Sequence, residues 1–197
     1  MIKVFNRWET DKIKVSDVGL IEVINLKPVL VPKTGGRNTE IKFWKNKYHI
    51  VERLINHVMI PGHKGKKHKL TSGRCSGKGV KAYNIILRTF EILEKKTTKN
   101  PIEVLVRAIE NAAPREEITS IEYGGARYSQ SVDCSPQRRV DLVLRMFIQG
   151  AYHTRFGKKL SFEDALANEI LFAYNIDQKS NAISRKLELE RQAESSR

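Results

Sequence analysis

Acidic residues are missing from one long stretch of this chain. Between Glu52 and Glu91 there is none, while Arg53, Lys64, Lys66, Lys67, Lys69, Arg74, Lys78, Lys81 and Arg88 all fall there. Cysteine is scarce as well: only Cys75 and Cys134 are present, which excludes a disulfide framework and suits a reducing compartment. No apolar run approaches the roughly 20 residues a membrane span requires. The opening MIKVFNRWETDK is charged and aromatic, unlike the basic tip and apolar block of a secretory leader, so a cytoplasmic location is expected.

What is present in excess is positive charge. The 197 residues carry a formal net charge of +14, and so large an excess repels itself unless a polyanion supplies the missing charge. Nucleic acid is the leading partner class, with an anionic membrane surface behind it. The membrane reading needs a basic helix opposed by a broad apolar face. Here the basic residues concentrate in a loop, GHKGKKHKLTSGRCSGKG, at about 62–79. Its glycines and serines let the backbone follow a phosphate chain closely. The plainer alternative is a solvated charge run.

The pattern predicts a mainly α fold: a helical domain of about six helices, a protruding β-hairpin arm and an extended N-terminal segment. Residues 1–43 are read as an N-terminal extension, extended or partly stranded, because Pro28, Pro32 and Lys33-Thr34-Gly35-Gly36 break its apolar residues before any helical period emerges. Residues 44–197 form the helical domain. Val51, Leu54, Ile55, Val58 and Met59 recur at helical spacing up to Pro61-Gly62. Further helices follow on Val80 to Lys96, on Asn100-Pro101 to Ile109, from Ser135-Pro136 to Ala151, and after Ser161 with Asp164 as a capping box. The last segment, SNAISRKLELERQAESSR, has helical composition but a thin apolar face, so it needs a partner. The arm spans about 117–133, around Gly124-Gly125, where two glycines accept the positive φ of a tight turn. A lone hairpin is marginal in water, so a partner surface is expected to order it.

Catalytic constellations are weak. GRCSGKG departs from a phosphate loop: Gly73 and Gly77 are separated by three residues instead of four, and Gly79 stands where a Ser or Thr is needed. His63, His68 and Cys75 lack paired ligand spacing, so neither a metal nor another cofactor is expected. No histidine is tied by pattern to Cys134, and a nucleic-acid-processing enzyme, the alternative reading, would need clustered carboxylates to hold magnesium. Arg138 and Arg139 are more informative. They open a helix at the end where its dipole disfavours cations, which fits a bound phosphate; pairing with Asp133 or nearby glutamates is the structural alternative. On the arm, Arg127 and Tyr128 suit phosphate and base stacking, unless Tyr123 and Tyr128 are simply a cross-strand pair.

The order AIENAAPREE, EYGGARYSQSVDCSPQRR and LANEI, closed by SNAISRKLELERQAESSR, resembles the family of small-subunit ribosomal protein seven, called protein five in eukaryotes, in its archaeal form. The resemblance runs from about Tyr48 to the end, and the hairpin with its following arginine pair is its specific part. It implies a non-catalytic protein that binds small-subunit rRNA in the 3′ domain and nucleates assembly of the head. It also implies a hairpin arm near the subunit interface, the exit-site tRNA and the mRNA path, with head and platform ribosomal proteins as neighbours. The rRNA-binding set under this reading is Arg53, Lys64, Lys66, Lys67, Lys69, Arg74, Lys78, Lys81, Arg115, Arg138 and Arg139. The tRNA and mRNA side of the arm is Gly124, Gly125, Arg127 and Tyr128. Bacterial members carry basic residues on the incoming strand where this chain reads ITSIE, and their basic loop is shorter.

Overall fold

The computed structural model describes residues 2–36, 40–60 and 77–197. Among these, six α-helices and one hairpin follow in chain order: α1 (Ile50–Met59), α2 (Gly79–Thr97), α3 (Pro101–Ala112), β1 (Glu116–Tyr123), β2 (Ala126–Asp133), α4 (Pro136–Arg155), α5 (Phe162–Tyr174) and α6 (Asn181–Glu194). The mainly α class holds.

Local chemistry sets the helix starts. The Asn100 side chain accepts from Ile102 N–H, with Pro101 in the first turn, where its missing donor costs nothing. Ser161 accepts from Asp164 N–H at 3.0 Å, and Ser180 accepts from Ala182 N–H at 3.2 Å. Helix α5 carries the centre of the core, its buried Leu166, Ala167, Ile170 and Ala173 facing α2, α3 and α4. Small side chains bring these helices close. At Gly150 a Cβ would lie 2.8 Å from Glu169 Cδ and 2.9 Å from Asn181 Cβ, so only glycine fits there. The buried Glu169 carboxylate accepts from Ser180 Oγ at 2.9 Å and Ala182 N–H at 3.3 Å, an anion at the positive end of α6.

The N-terminal segment shares this core. Val4, Phe5, Trp8, Leu20, Val23 and Ile24 are buried, and the Phe5 ring meets Trp8, Tyr83 and Phe90 edge-on. Its strand-like pairing among the described residues is limited to single bridges, Val4 with Trp8 and Asn25 with His49.

The hairpin pairs antiparallel from Glu116 with Asp133 to Tyr123 with Ala126. Gly124 (φ 59°) and Gly125 (φ 78°) both take the left-handed region, the requirement of a two-residue turn whose twist matches its strands. No third strand joins them among the described residues; instead α6 packs against the base of β1 and β2. That is also the partner α6 needs. Its buried residues are Ala182, Ile183 and Ala193, a narrow stripe that only close neighbours can cover.

Candidate nucleic-acid interface

Among the described residues the start of α2 has no side-chain cap, and it lies in a cationic groove. Lys78 occupies the cap position without a side-chain cap bond, and the first turn holds no acidic residue. Beside it lies a cavity of about 870 Å³ with Lys33, Lys78, Lys81, Arg88 and Arg155 around it and one carboxylate, Glu163. None of the five cations makes an ion pair among the described residues. Lys33 is held over the helix end: its Nζ stands 3.4 Å from where a Cβ on Gly79 would be. Gly77, two residues before α2, has φ 68°, a left-handed conformation that glycine adopts at little cost. The apolar floor consists of Val58, Ile85 and Ile148, with Phe162 and Tyr152 at the side.

Lys78 and Lys81 thus fall in the groove, and both are exposed. Lys64, Lys66, Lys67, Lys69 and Arg74, with His63, His68 and Cys75, lie outside the described residues. Lys33 and Arg155 were missed in the sequence. The Lys-Thr-Gly-Gly signal marked a loop at Lys33 but not its destination, and Arg155 sits at the far end of α4, distant from the basic stretch in sequence.

Burial corrects two expected RNA contacts. Arg53 is 2% exposed; its Nη1 donates to Val23 O at 3.1 Å and its Nη2 to Asp141 Oδ1 at 2.9 Å, so the guanidinium is part of the interior. Asp141 also takes Lys45 Nζ at 2.9 Å and faces His57. Burial opposes its charge, but hydrogen bonds from His57, Lys45 and Arg53 outweigh that and hold its carboxyl far below the usual range. Arg139 is 8% exposed and ties Pro114 O (3.0 Å) to Asp17 Oδ2 (2.7 Å). Burial raises the Asp17 carboxyl, and the Arg139 and Gly19 hydrogen bonds more than reverse it.

The anion at the start of α4 is therefore internal. Arg138 remains exposed but grips Glu117 with two bonds, one from Nη2 at 2.7 Å and one from Nε. On the other side of the hairpin base, Arg197 pairs with Glu116, and Glu190 of α6 accepts from Arg115 N–H at 3.1 Å. Arg115 keeps its own side chain exposed at the foot of the arm. Cys134 is buried there; burial first, then Glu117, push its thiol up to about 11, which leaves it unreactive at neutral pH.

The outer half of the arm is exposed on both faces. Arg127 pairs across the strands with Glu122 at 3.6 Å, so its charge is locally balanced. The register places Tyr128 opposite Ile121, with Tyr123 diagonal to it, and both tyrosines are exposed. Among the described residues no group of three or more His, Cys, Asp or Glu is placed to hold a metal ion, and no helix is long and apolar enough to cross a membrane.

Comparison with known proteins decides the family. Residues 22–197 match the family model described as ribosomal protein S7p/S5e. The chain belongs to this family. It is 57% identical over 196 residues to the small ribosomal subunit protein uS7 of Nanoarchaeum equitans, covering 100% of this chain and 99% of that protein. To the uS7 of Methanothermobacter thermautotrophicus it is 48% identical over 195 residues, covering 99% of each. Family membership extends over the groove, the hairpin and α6 alike, because the matched span includes all three.

Proposed function

We propose that the protein is a non-catalytic structural component of the small ribosomal subunit that binds its rRNA directly. The rRNA contacts lie in the 3′ domain, where binding nucleates folding of the head. The hairpin arm reaches from this anchor toward the subunit interface, close to the exit-site tRNA and the mRNA path. One observation carries the reading: among the described residues five cations surround the α2 groove against one carboxylate, so this face lacks the counter-charge that other basic residues have found inside the fold. Lys and Arg groups placed so displace counterions from phosphates and allow RNA helices to pack.

The arm takes a separate part. Its base is fixed by Arg138–Glu117 on one side and Arg197–Glu116 on the other, while the balanced Glu122–Arg127 pair leaves its outer half little net charge for phosphate. The test is the affinity for a head-domain rRNA transcript as a function of salt. The expected log–log slope falls by roughly 0.7–0.9 per phosphate contact, and a flat response overturns the proposal.

A further inference from the structure

We propose that Phe43 is a stacking platform for an unpaired base of the rRNA. This rests on the rRNA-binding reading above and goes beyond it, by assigning a contact away from the α2 groove and the class of nucleotide that makes it.

The ring stands outside the core in a conformation the local sequence does not favour. Phe43 is 67% exposed and meets no other ring among the described residues, whereas Phe5, Phe90 and Phe147 are buried. Its backbone has φ 63° and ψ 7°, a left-handed conformation uncommon for any residue but glycine, asparagine, aspartate or histidine. Burial would offset that strain, and here there is little. Strained residues of this kind cluster where a protein meets a ligand.

The ring is also held at a fixed place. Phe43 opens a short 3-10 turn, Trp44–Lys47, within which Asn46 N–H donates to Phe43 O at 3.0 Å. Mid-turn, Lys45 Nζ donates to Asp141 Oδ2 of α4 at 2.9 Å; at its end Asn25 Nδ2 donates to Lys47 O, and the next residue, Tyr48, is buried. These anchors all belong to the described residues. They tie the turn to α4 and to the N-terminal segment, so little side-chain and backbone freedom is left to lose when a partner arrives.

The surroundings select that partner. Lys42 and Lys47 flank the ring in sequence, both exposed and without an ion pair among the described residues. Lys47 Nζ lies 5.1 Å from the centroid of the half-buried Trp44 ring, which keeps its charge beside the turn. Between Glu22 and Glu52 the sequence holds one carboxylate, Glu40. A phosphate alone has no use for the ring, and an apolar protein side chain has none for the cations. A nucleotide uses both. It must be unpaired, because a duplex keeps its base faces stacked inside the helix, whereas loops and bulges splay theirs onto aromatic side chains.

Two variants test the assignment. Phe43→Leu keeps an apolar side chain and removes the π-face, and Phe43→Trp keeps the face and adds a fluorophore. Affinities for the head-domain rRNA transcript are measured across salt concentrations, with thermal melts as the fold control. Phe43→Leu should bind about fivefold or more weakly with an unchanged salt slope, since stacking releases no counterions, while Phe43→Trp should stay within about twofold of the parent. The emission that Phe43→Trp adds to the parent spectrum should be quenched by the transcript and not by a fully paired RNA duplex. If Phe43→Leu binds as the parent does while the parent keeps its steep slope, the stacking contact is wrong and rRNA binding stands without it. A flat slope for the parent overturns both readings. Equal quenching by the duplex would overturn the unpaired base. A loss for Phe43→Leu confined to particles that also hold other small-subunit proteins would give the ring to a protein neighbour and overturn the proposal.

Discussion

Asparagine at position 141 should destabilise the fold by about 3–5 kcal/mol, because it leaves a buried guanidinium without its counter-charge. The Arg53 side chain is 1% exposed and the Asp141 side chain 20% exposed, so neither water nor a surface anion replaces the lost carboxylate. Among the described residues Arg53 Nε has no hydrogen-bond partner, and only Val23 O would remain to the guanidinium. For a chain of this length each kcal/mol moves the midpoint by about 2–4 °C, so Asp141→Asn should melt roughly 6–20 °C lower in calorimetry at neutral pH. Lys45→Ala removes a half-exposed partner of the same carboxylate and should change stability by at most about 1 kcal/mol. Replacing both buried partners, Arg53→Met with Asp141→Leu, should recover most of the loss because nothing charged is left inside.

The same carboxylate has a pH signature. Its folded pKa lies below its unfolded value of about 4, so its contribution is complete above that value and is lost as pH falls through the folded pKa. The parent should therefore lose stability more steeply than Asp141→Asn below about pH 4. A melting point for Asp141→Asn within 2 °C or so of the parent would refute the assignment of Arg53 to the interior. It would return that residue to the RNA-contacting set.

Three other outcomes are expected. The buried His49 accepts from Val51 N–H through Nδ1 at 3.2 Å, and burial lowers its pKa to about 4. Its folded value lies below the unfolded 6.5, so stability should fall by up to about 3 kcal/mol as pH drops from about 6.5 to 4, and melts of His49→Asn should lack that dependence. Arg139→Gln should cost about 3 kcal/mol or more by thermal melt, whereas Arg138→Gln, which breaks an exposed pair with Glu117, should stay within about 1 kcal/mol. Shortening the arm around Gly124-Gly125 should leave rRNA affinity largely intact and disturb tRNA or mRNA handling by assembled subunits; outright loss of rRNA binding would make the arm a primary anchor.

The helices and the hairpin were legible because their signals are local: apolar spacing in α1 to α4, Asn100-Pro101, the Ser161 capping box, and paired glycines at the turn. What was hidden is long-range cover. Helix α1 reads as amphipathic, yet Ile50 to Ile55 are all buried, because the N-terminal segment closes over its polar side. Thr34 donates to Glu52 through N–H (2.8 Å) and Oγ1 (2.7 Å), and Val23 O receives Arg53. Periodicity carries no information about a segment 30 residues away, so Arg53 looked like a surface cation. Arg139 misled for the same reason: Asp17, its partner, is 122 positions earlier. For the groove, Lys78 and Lys81 were visible in the basic stretch, but Lys33 and Arg155 reach it only through the fold.

Pairing therefore sorts the basic residues into two populations with different work. Asp17, Asp141, Glu116 and Glu117 pair with Arg139, Arg53, Arg197 and Arg138, joining the N-terminal segment and α1 to α4, and the arm to α4 and to the residues after α6. With 22 carboxylates against 36 Lys and Arg residues, using acids for internal ties leaves cations uncompensated elsewhere. Around the α2 groove the described residues set five cations against one carboxylate, and those cations repel one another until an anion compensates them. A polyanion that neutralises the groove should then stabilise the fold itself, by mass action with the added relief of that repulsion. The paired population sets the direction of the arm, and the unpaired population supplies the charge by which RNA would hold the domain beneath it.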